Sequence, residues 1–186
     1  MLYAQIHLTL PAWVHELAPD GVVYAGDQAK MQLAIELSRR NIDAGSGGPF
    51  GAAIFDSRDR LLSVGVNRVV PQSCSVAHAE MMAFMTAQAR TQRFRLNEGE
   101  DNVTLATSSQ PCCMCYGASF WAGIDTLLIG ARAEDVMSLT EFDEGPLPTD
   151  WAGELEARSI RVRRDILRES ACAVLRHYSE SAGAAY

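Results

Sequence analysis

Two short motifs limit the folds open to this chain more than any other feature: His78-Ala79-Glu80 and Pro111-Cys112-Cys113-Met114-Cys115. Read as H-x-E and P-C-x-x-C, they offer one imidazole and two thiols to a metal, with a carboxylate beside them. One ion can use all three only where two distant stretches of chain meet. Cys112 and Cys115, three apart, share one face of a helix. Pro111 suits the start of that helix, where its missing N–H costs nothing. Both sulfurs then lie near the positive end of the helix dipole, which favours thiolates. Residues two apart on a regular helix point to nearly opposite sides, so His78 is expected at the extreme start of its own helix, with Glu80 in the first turn. That position disfavours an imidazolium, so the helix end is expected to keep His78 neutral and able to ligate.

Three protein ligands of this kind suit Zn²⁺ with a fourth position left for water, a catalytic rather than a closed structural arrangement. Bound zinc lowers the pKa of a water to about 7. Glu80 is expected not to ligate but to take a proton from that water, pass it to a ring nitrogen and then protonate a leaving amine. Plainer readings compete. An isolated H-x-E is close to noise, and a lone C-x-x-C also serves as a redox pair or half of a zinc ribbon. A structural Cys₃His site, with Cys113 or Cys74 as fourth ligand, is the better competitor. Against Cys113, it follows Cys112 directly and projects about 100° away around the helix axis. Glu80 also stands where only catalysis needs it.

The 186 residues, 48% of them hydrophobic, form one domain, 1–186, preceded within it by an N-terminal extension, 1–26. Five cysteines, three in one motif, do not make a disulfide framework. Met1 to Leu10 contains no Lys or Arg and soon meets Pro11, unlike a signal peptide. No apolar run approaches the roughly 20 residues that span a bilayer, so no membrane association is expected, and the cytoplasm is the default location. Net charge is −7, and the basic residues Arg158, Arg161, Arg163, Arg164 and Arg168 are interleaved with Glu154, Glu156, Asp165 and Glu169. Such mixed charge is a solvated face rather than a phosphate track, so a small uncharged substrate is expected and no nucleic acid.

Periodicity predicts an amphipathic helix from Asp27 to Ile42, ended by Gly45-Ser46-Gly47-Gly48, then strands over Pro49–Phe55 and Leu61–Val66 across a polar turn. A helix follows from His78 to about Ala89, a strand over Val103–Thr107, the cysteine helix to about Trp121, and a fully apolar strand over Thr126–Ala131. Ser159–Arg163 reads as the last strand and Asp165–Tyr178 as the last helix. The pattern is an α/β fold, a three-layer α/β/α sandwich around a central sheet. The glycines at 45, 47 and 48 fit no phosphate-loop pattern and lack a following Lys, so a helix terminator is expected there.

The succession of a helix, Gly51-Ala52-Ala53-Ile54-Phe55 after Gly48-Pro49-Phe50, Val66-Asn67-Arg68-Val69, His78-Ala79-Glu80 and Pro111-Cys112-Cys113-Met114-Cys115 resembles the cytidine deaminase superfamily. Within it the chain is most similar to the bacterial guanine deaminases of the small, cytidine-deaminase-like type. The resemblance covers residues 27–186, including Phe142-Asp143-Glu144-Gly145-Pro146 and Leu155-Glu156-Ala157-Arg158, which are more specific than the zinc signature.

The resemblance implies a cytidine deaminase-like fold with a mixed sheet and hydrolysis of guanine to xanthine and ammonia, with Glu80 and Glu144 catalytic and His78, Cys112 and Cys115 on zinc. It implies that Asn67 hydrogen-bonds the purine carbonyl side, that the backbone at Ala52 and Ala53 lies under the base, and that His78 and Phe142 bracket its faces. Asp143 or Glu144 would read ring N–H groups, and Glu144 would serve as a second proton relay. It further implies a homodimer exchanging the C-terminal segment 150–186, so that Tyr186 reaches the partner's pocket. Each has a plainer reading: Asn67 as a turn residue, Phe142 as core, Asp143 and Glu144 as an acidic loop, Tyr186 as a frayed terminus. Gln110 departs from the Glu that commonly precedes Pro-Cys, and Cys113 from an apolar or proline residue. Ammeline, guanosine and cytosine remain alternative substrates, a non-catalytic zinc protein that binds a base or a partner remains a different class, and a tRNA adenosine deaminase is disfavoured by charge.

Overall fold

A computed structural model describes residues 5–19, 21–99 and 102–181. The elements in chain order are α1 (Val14–Leu17), α2 (Gly26–Asp43), β1 (Gly51–Phe55), β2 (Leu61–Val66), α3 (Val69–Gln72), α4 (Ala79–Thr91) and β3 (Thr104–Ser109). They continue with α5 (Cys113–Ala122), β4 (Thr126–Ala131), α6 (Ala133–Leu139), α7 (Trp151–Glu156), β5 (Arg161–Arg163) and α8 (Arg168–Glu180).

The strands form one mixed sheet in the order β2-β1-β3-β4-β5. β1 is antiparallel to both β2 and β3, while β3, β4 and β5 run parallel. The centre of the sheet is apolar on both faces because both are covered. Met31, Ala34 and Ile35 of α2 and Ala171, Val174 and Leu175 of α8 pack with Ala53, Phe55 and Leu128 on one side. Ala79, Ala83 and Phe84 of α4, with Ala122 of α5, pack with Ala52, Ile54, Leu105 and Leu127 on the other. This is the expected three-layer sandwich.

Two glycines set how closely the layers approach. A Cβ on Gly51 would lie 2.3 Å from the Ala34 carbonyl oxygen of α2, and one on Gly65 would lie 1.9 Å from that of Ala79 in α4. Gly65 therefore lets the start of α4 rest on the backbone of β2, which brings His78 and Glu80 to the end of that strand.

Three differences from the sequence reading have local causes. Asp165 and Leu167 adopt left-handed backbone conformations (φ 66° and 51°), so the last helix begins at Arg168, not at Asp165. Pro111 lies one residue outside α5, because Cys112 is the N-cap and the first helical residue is Cys113. The helices α1, α3, α6 and α7 were not expected; at four to seven residues they are too short for a hydrophobic period to register.

The arginine-rich C-terminal region is a solvated face, as expected. Arg158 pairs with Glu154, Arg163 with Asp27, and Arg168 with Asp135. β5 pairs with β4, and α8 packs against α2 and β4. Among the described residues no helix is long and apolar enough to cross a membrane.

Candidate active site

The end of β2, the start of β1 and the end of β3 meet on one edge of the sheet, and the starts of α4 and α5 point at the same place. His78 is the N-cap of α4 and Glu80 its second residue; Cys112 is the N-cap of α5 and Cys115 its third residue. Neither cap side chain is used to cap its helix, so both are free to ligate. His78 Nδ1 stands 3.5 Å from Cys112 Sγ across 34 residues of sequence.

The donor atoms of His78, Cys112 and Cys115 lie within 4.8 Å of one another, and no other described His, Cys, Asp or Glu joins them. This fits zinc. An ion bonded to a nitrogen and a sulfur at tetrahedral geometry holds them about 3.6 Å apart, close to the observed spacing. Cys113 is exposed and Cys74 only half-buried; neither closes the fourth position, so the structural Cys₃His arrangement is not formed.

The electrostatics show why a dication belongs here. The Cys115 thiol donating to Cys112, aided by His78, overcomes burial and holds Cys112 down at about 4. Cys115, the donor of that pair and itself buried, is pushed far up. Without an ion the two sulfurs share one negative charge; a bound cation lets both ionise. Without an ion, His78 is pulled in two directions. Burial lowers its pKa, but the Cys112 hydrogen bond and the charges of Glu80, Cys112 and Glu144 outweigh it and raise it.

A cavity opens beside these ligands, lined by Phe50, Asn67, His78, Glu80, Gln110, Cys112, Phe142, Asp143 and Glu144. Glu80 is buried, and the Thr107 hydroxyl lies 3.2 Å from its Oε1 and 3.0 Å from the Ser109 carbonyl. Burial and the neighbouring Cys112 charge raise its pKa, which His78 partly opposes. Glu144 comes from the loop after α6. The Cys113 N–H, one of the orphan donors at the start of α5, donates to the Glu144 carbonyl at 2.9 Å. Gly145, at φ 68°, lies against Cys113, where a Cβ would come 2.7 Å from Sγ. The loop is thus seated on the cysteine helix, with the Glu144 side chain buried in the cavity. Burial first, then the charges of Cys112 and Glu80, push Glu144 up to about 8 in the metal-free site.

Asn67 is 1% exposed; its Oδ1 accepts the Val69 N–H at 3.1 Å. Its Nδ2 has no partner, alone in this respect among the described buried side-chain polar atoms. Phe142 meets Phe50 edge-on at 5.0 Å and stacks on Tyr178 at 5.9 Å. Asp143 is exposed, with Oδ1 accepting from the Gly145 N–H at 2.9 Å.

The cavity therefore gathers Asn67, His78, Glu80, Phe142, Asp143 and Glu144. Ala52 and Ala53 are wholly buried on opposite faces of β1, and the residue of that segment on the cavity wall is Phe50. Tyr186 lies outside the described residues. Phe50 and Thr107 were missed, though Phe50 adjoins a glycine-rich strand start and Thr107 shares a strand face with Ser109. Gln110, noted only as a departure, is part of the wall.

Residues 25–131 match the cytidine and deoxycytidylate deaminase zinc-binding region. A probable cytosine deaminase from Schizosaccharomyces pombe is 36% identical over 115 residues, 62% of this chain and 66% of that protein. A guanine deaminase from Bacillus subtilis is 33% identical over 130 residues, 70% of this chain and 80% of that protein. Among solved structures, a guanine deaminase from Nitrosomonas europaea shares 42% identity at a TM-score of 0.91, covering 97% of this chain and 99% of its own. A mutant protein in complex with 8-azaguanine gives the same identity and TM-score over 97% of this chain and 100% of its own. The matched region contains His78, Glu80, Cys112 and Cys115 in the places that zinc chemistry demands: the chain belongs to the cytidine and deoxycytidylate deaminase family.

Proposed function

We propose that this protein deaminates guanine hydrolytically, releasing xanthine and ammonia. The observation that carries the reading is the extent of the likeness to guanine deaminase, 97% of the chain. The zinc-binding region ends at residue 131 and is common to deaminases of several bases. Phe142 and Glu144, which line the cavity, lie beyond it.

When bound, zinc supplies an activated water at neutral pH. Asn67 Nδ2 donates to the O6 and N7 edge of the purine, an acceptor edge suited to an unpaired buried donor. Phe142 and His78 lie against the two faces of the ring. Glu80 takes one proton from the attacking water and delivers it to the adjacent ring nitrogen; as the carbon–nitrogen bond breaks it takes the second proton, from the new hydroxyl, and gives it to the departing amine. Glu144 hydrogen-bonds the 2-amino side and offers a second route by which that same proton reaches the leaving group. Asp143 reads a ring N–H, and the Ala52–Ala53 backbone supports the strand end under the base.

The Schizosaccharomyces relative favours a second reading, the same chemistry on cytosine. Ammonia release from guanine, guanosine, cytosine, adenine and ammeline, each supplied alone, separates them. Release mainly from guanine is expected; release mainly from another base keeps the zinc chemistry and overturns the substrate. A Glu80-independent silence on all five with zinc bound would favour a binding protein.

We also read the chain as a homodimer that exchanges its C-terminal segment, Tyr186 reaching the partner's cavity. Trp121 on α5, 73% exposed, supports a second copy covering that helix. The mass in solution and the KM of a chain ending at Ser181 test it. Five free cysteines support a reducing, cytoplasmic setting.

A further inference from the structure

Residues before the matched region are tied to the cavity by hydrogen bonds that run in one direction. Trp13 Nε1 donates to Ser46 Oγ at 3.1 Å. An indole nitrogen only donates, so the Ser46 hydroxyl is left to donate in turn, and it does so to Asn41 Oδ1 at 2.8 Å. That sets the Asn41 amide with Nδ2 toward the carbonyls of Gly48 and Asn67, each at 2.9 Å. Asn41 is fully buried in α2, and Gly47 presses on the same carbonyl, since a Cβ there would lie 1.9 Å from Asn67 O. Arg68 clamps the other side: it donates to the Ser46 carbonyl through Nη1 and to the Thr9 carbonyl at 3.2 Å through Nε. The end of this chain of contacts is Asn67, which lines the cavity and whose buried Nδ2 has no partner.

We propose that the N-terminal segment is a brace for base recognition: Trp13, Ser46 and Asn41 are positioning residues that fix the backbone carrying Asn67 and so set the affinity for the base. A buried amide left with one free donor discriminates only if its direction is fixed, because a rotated or displaced donor loses its acceptor. Glu80, Cys112 and Cys115 sit on α4 and α5, and the network approaches the zinc ligands only where the Arg68 N–H donates to the Ala77 carbonyl, beside His78, at 2.8 Å, so the brace acts chiefly on binding.

The proposal rests on the guanine reading, and the test keeps the two apart. Trp13→Phe keeps the ring and removes the N–H. It is expected to raise KM for guanine, and the dissociation constant of 8-azaguanine, about fivefold, with kcat and zinc content nearly unchanged. Ser46→Ala repeats the effect, and Ser46→Thr, which retains the hydroxyl, restores it. In an Asn67→Ala background, Trp13→Phe is expected to add nothing. Unchanged affinity in both Trp13→Phe and Ser46→Ala, or an equal loss with and without Asn67, overturns the brace. A wild-type protein inert toward guanine but active on another base overturns the substrate reading instead, and the same cycle on that base still decides the brace.

Discussion

His78 and Cys112 occupy the same position on two different helices. Each is the extended residue just before the first turn, at φ −68°, ψ 160° and φ −66°, ψ 173°, and their Nδ1 and Sγ atoms stand 3.5 Å apart. Two helix starts thus converge on one point, each giving up its side-chain cap to present a ligand. The partial positive charge at both ends suits a place that must hold thiolates, Glu80 and developing negative charge during the reaction. The arrangement also leaves Glu80 two positions past the ligand His78, close to it without being one.

Glu80→Gln removes the proton carrier and leaves the three zinc ligands in place. Ammonia release is expected to fall at least 10²-fold, the scale of general acid–base catalysis, while zinc content stays at the wild-type level. Turnover that survives this change would remove Glu80 from the reaction.

Gly65→Ala places a methyl 1.9 Å from the Ala79 carbonyl oxygen and 2.5 Å from the Ala83 nitrogen. Backbone cannot yield as a flexible side chain does, so α4 must lift from β2. A loss of about 2–3 kcal/mol in urea unfolding is expected, together with weaker zinc retention, since His78 moves with the helix. Stability within error of wild type would contradict the close approach.

Glu144 has a folded-state pKa of about 8 in the zinc-free chain, against an ordinary value of 4.5, chiefly because it is buried. An acid whose pKa is raised by folding holds its proton longer in the native state, so its contribution to stability declines as pH rises from 4.5 toward 8. Glu144→Gln cannot ionise and escapes that loss. In zinc-depleted protein the Tm of the variant relative to wild type is expected to climb across this window and level off above it. A difference that does not vary with pH would show an ordinary carboxylate.

Asp135 joins α6 to α8. Its carboxylate accepts two bonds from Arg168, both 2.7 Å, and one from the Arg132 N–H at 2.8 Å. The Arg168 hydrogen bond is the main reason that its pKa falls from 3.8 to about 2. A lowered pKa stabilises the fold above the unfolded value and ceases to as pH drops through the folded one. Asp135→Asn is therefore expected to lower the urea midpoint at pH 7, and the deficit should shrink between pH 3.8 and 2. A deficit of constant size would assign the effect to packing.

The sequence by itself determined the metal donor set, the separation of Glu80 from the ligands, the order of the long helices and strands, and the sandwich that contains them. These are local properties: a period of 2 or 3.6 and the spacing of donors in a motif are legible in a few turns of chain. The resemblance pointed to Asn67, Phe142 and Glu144, but only the tertiary structure decided what surrounds them. The free donor of Asn67 exists because Val69 takes its oxygen. The Glu144 pKa is raised because its loop is seated on Cys113, which buries the carboxyl near Cys112 and Glu80. Phe50 lines the cavity while the side chains of Ala52 and Ala53 do not, because these pack into the layers on either face of β1. Burial, charge and hydrogen-bond completion depend on residues dozens of positions away, and no spacing within a motif records them.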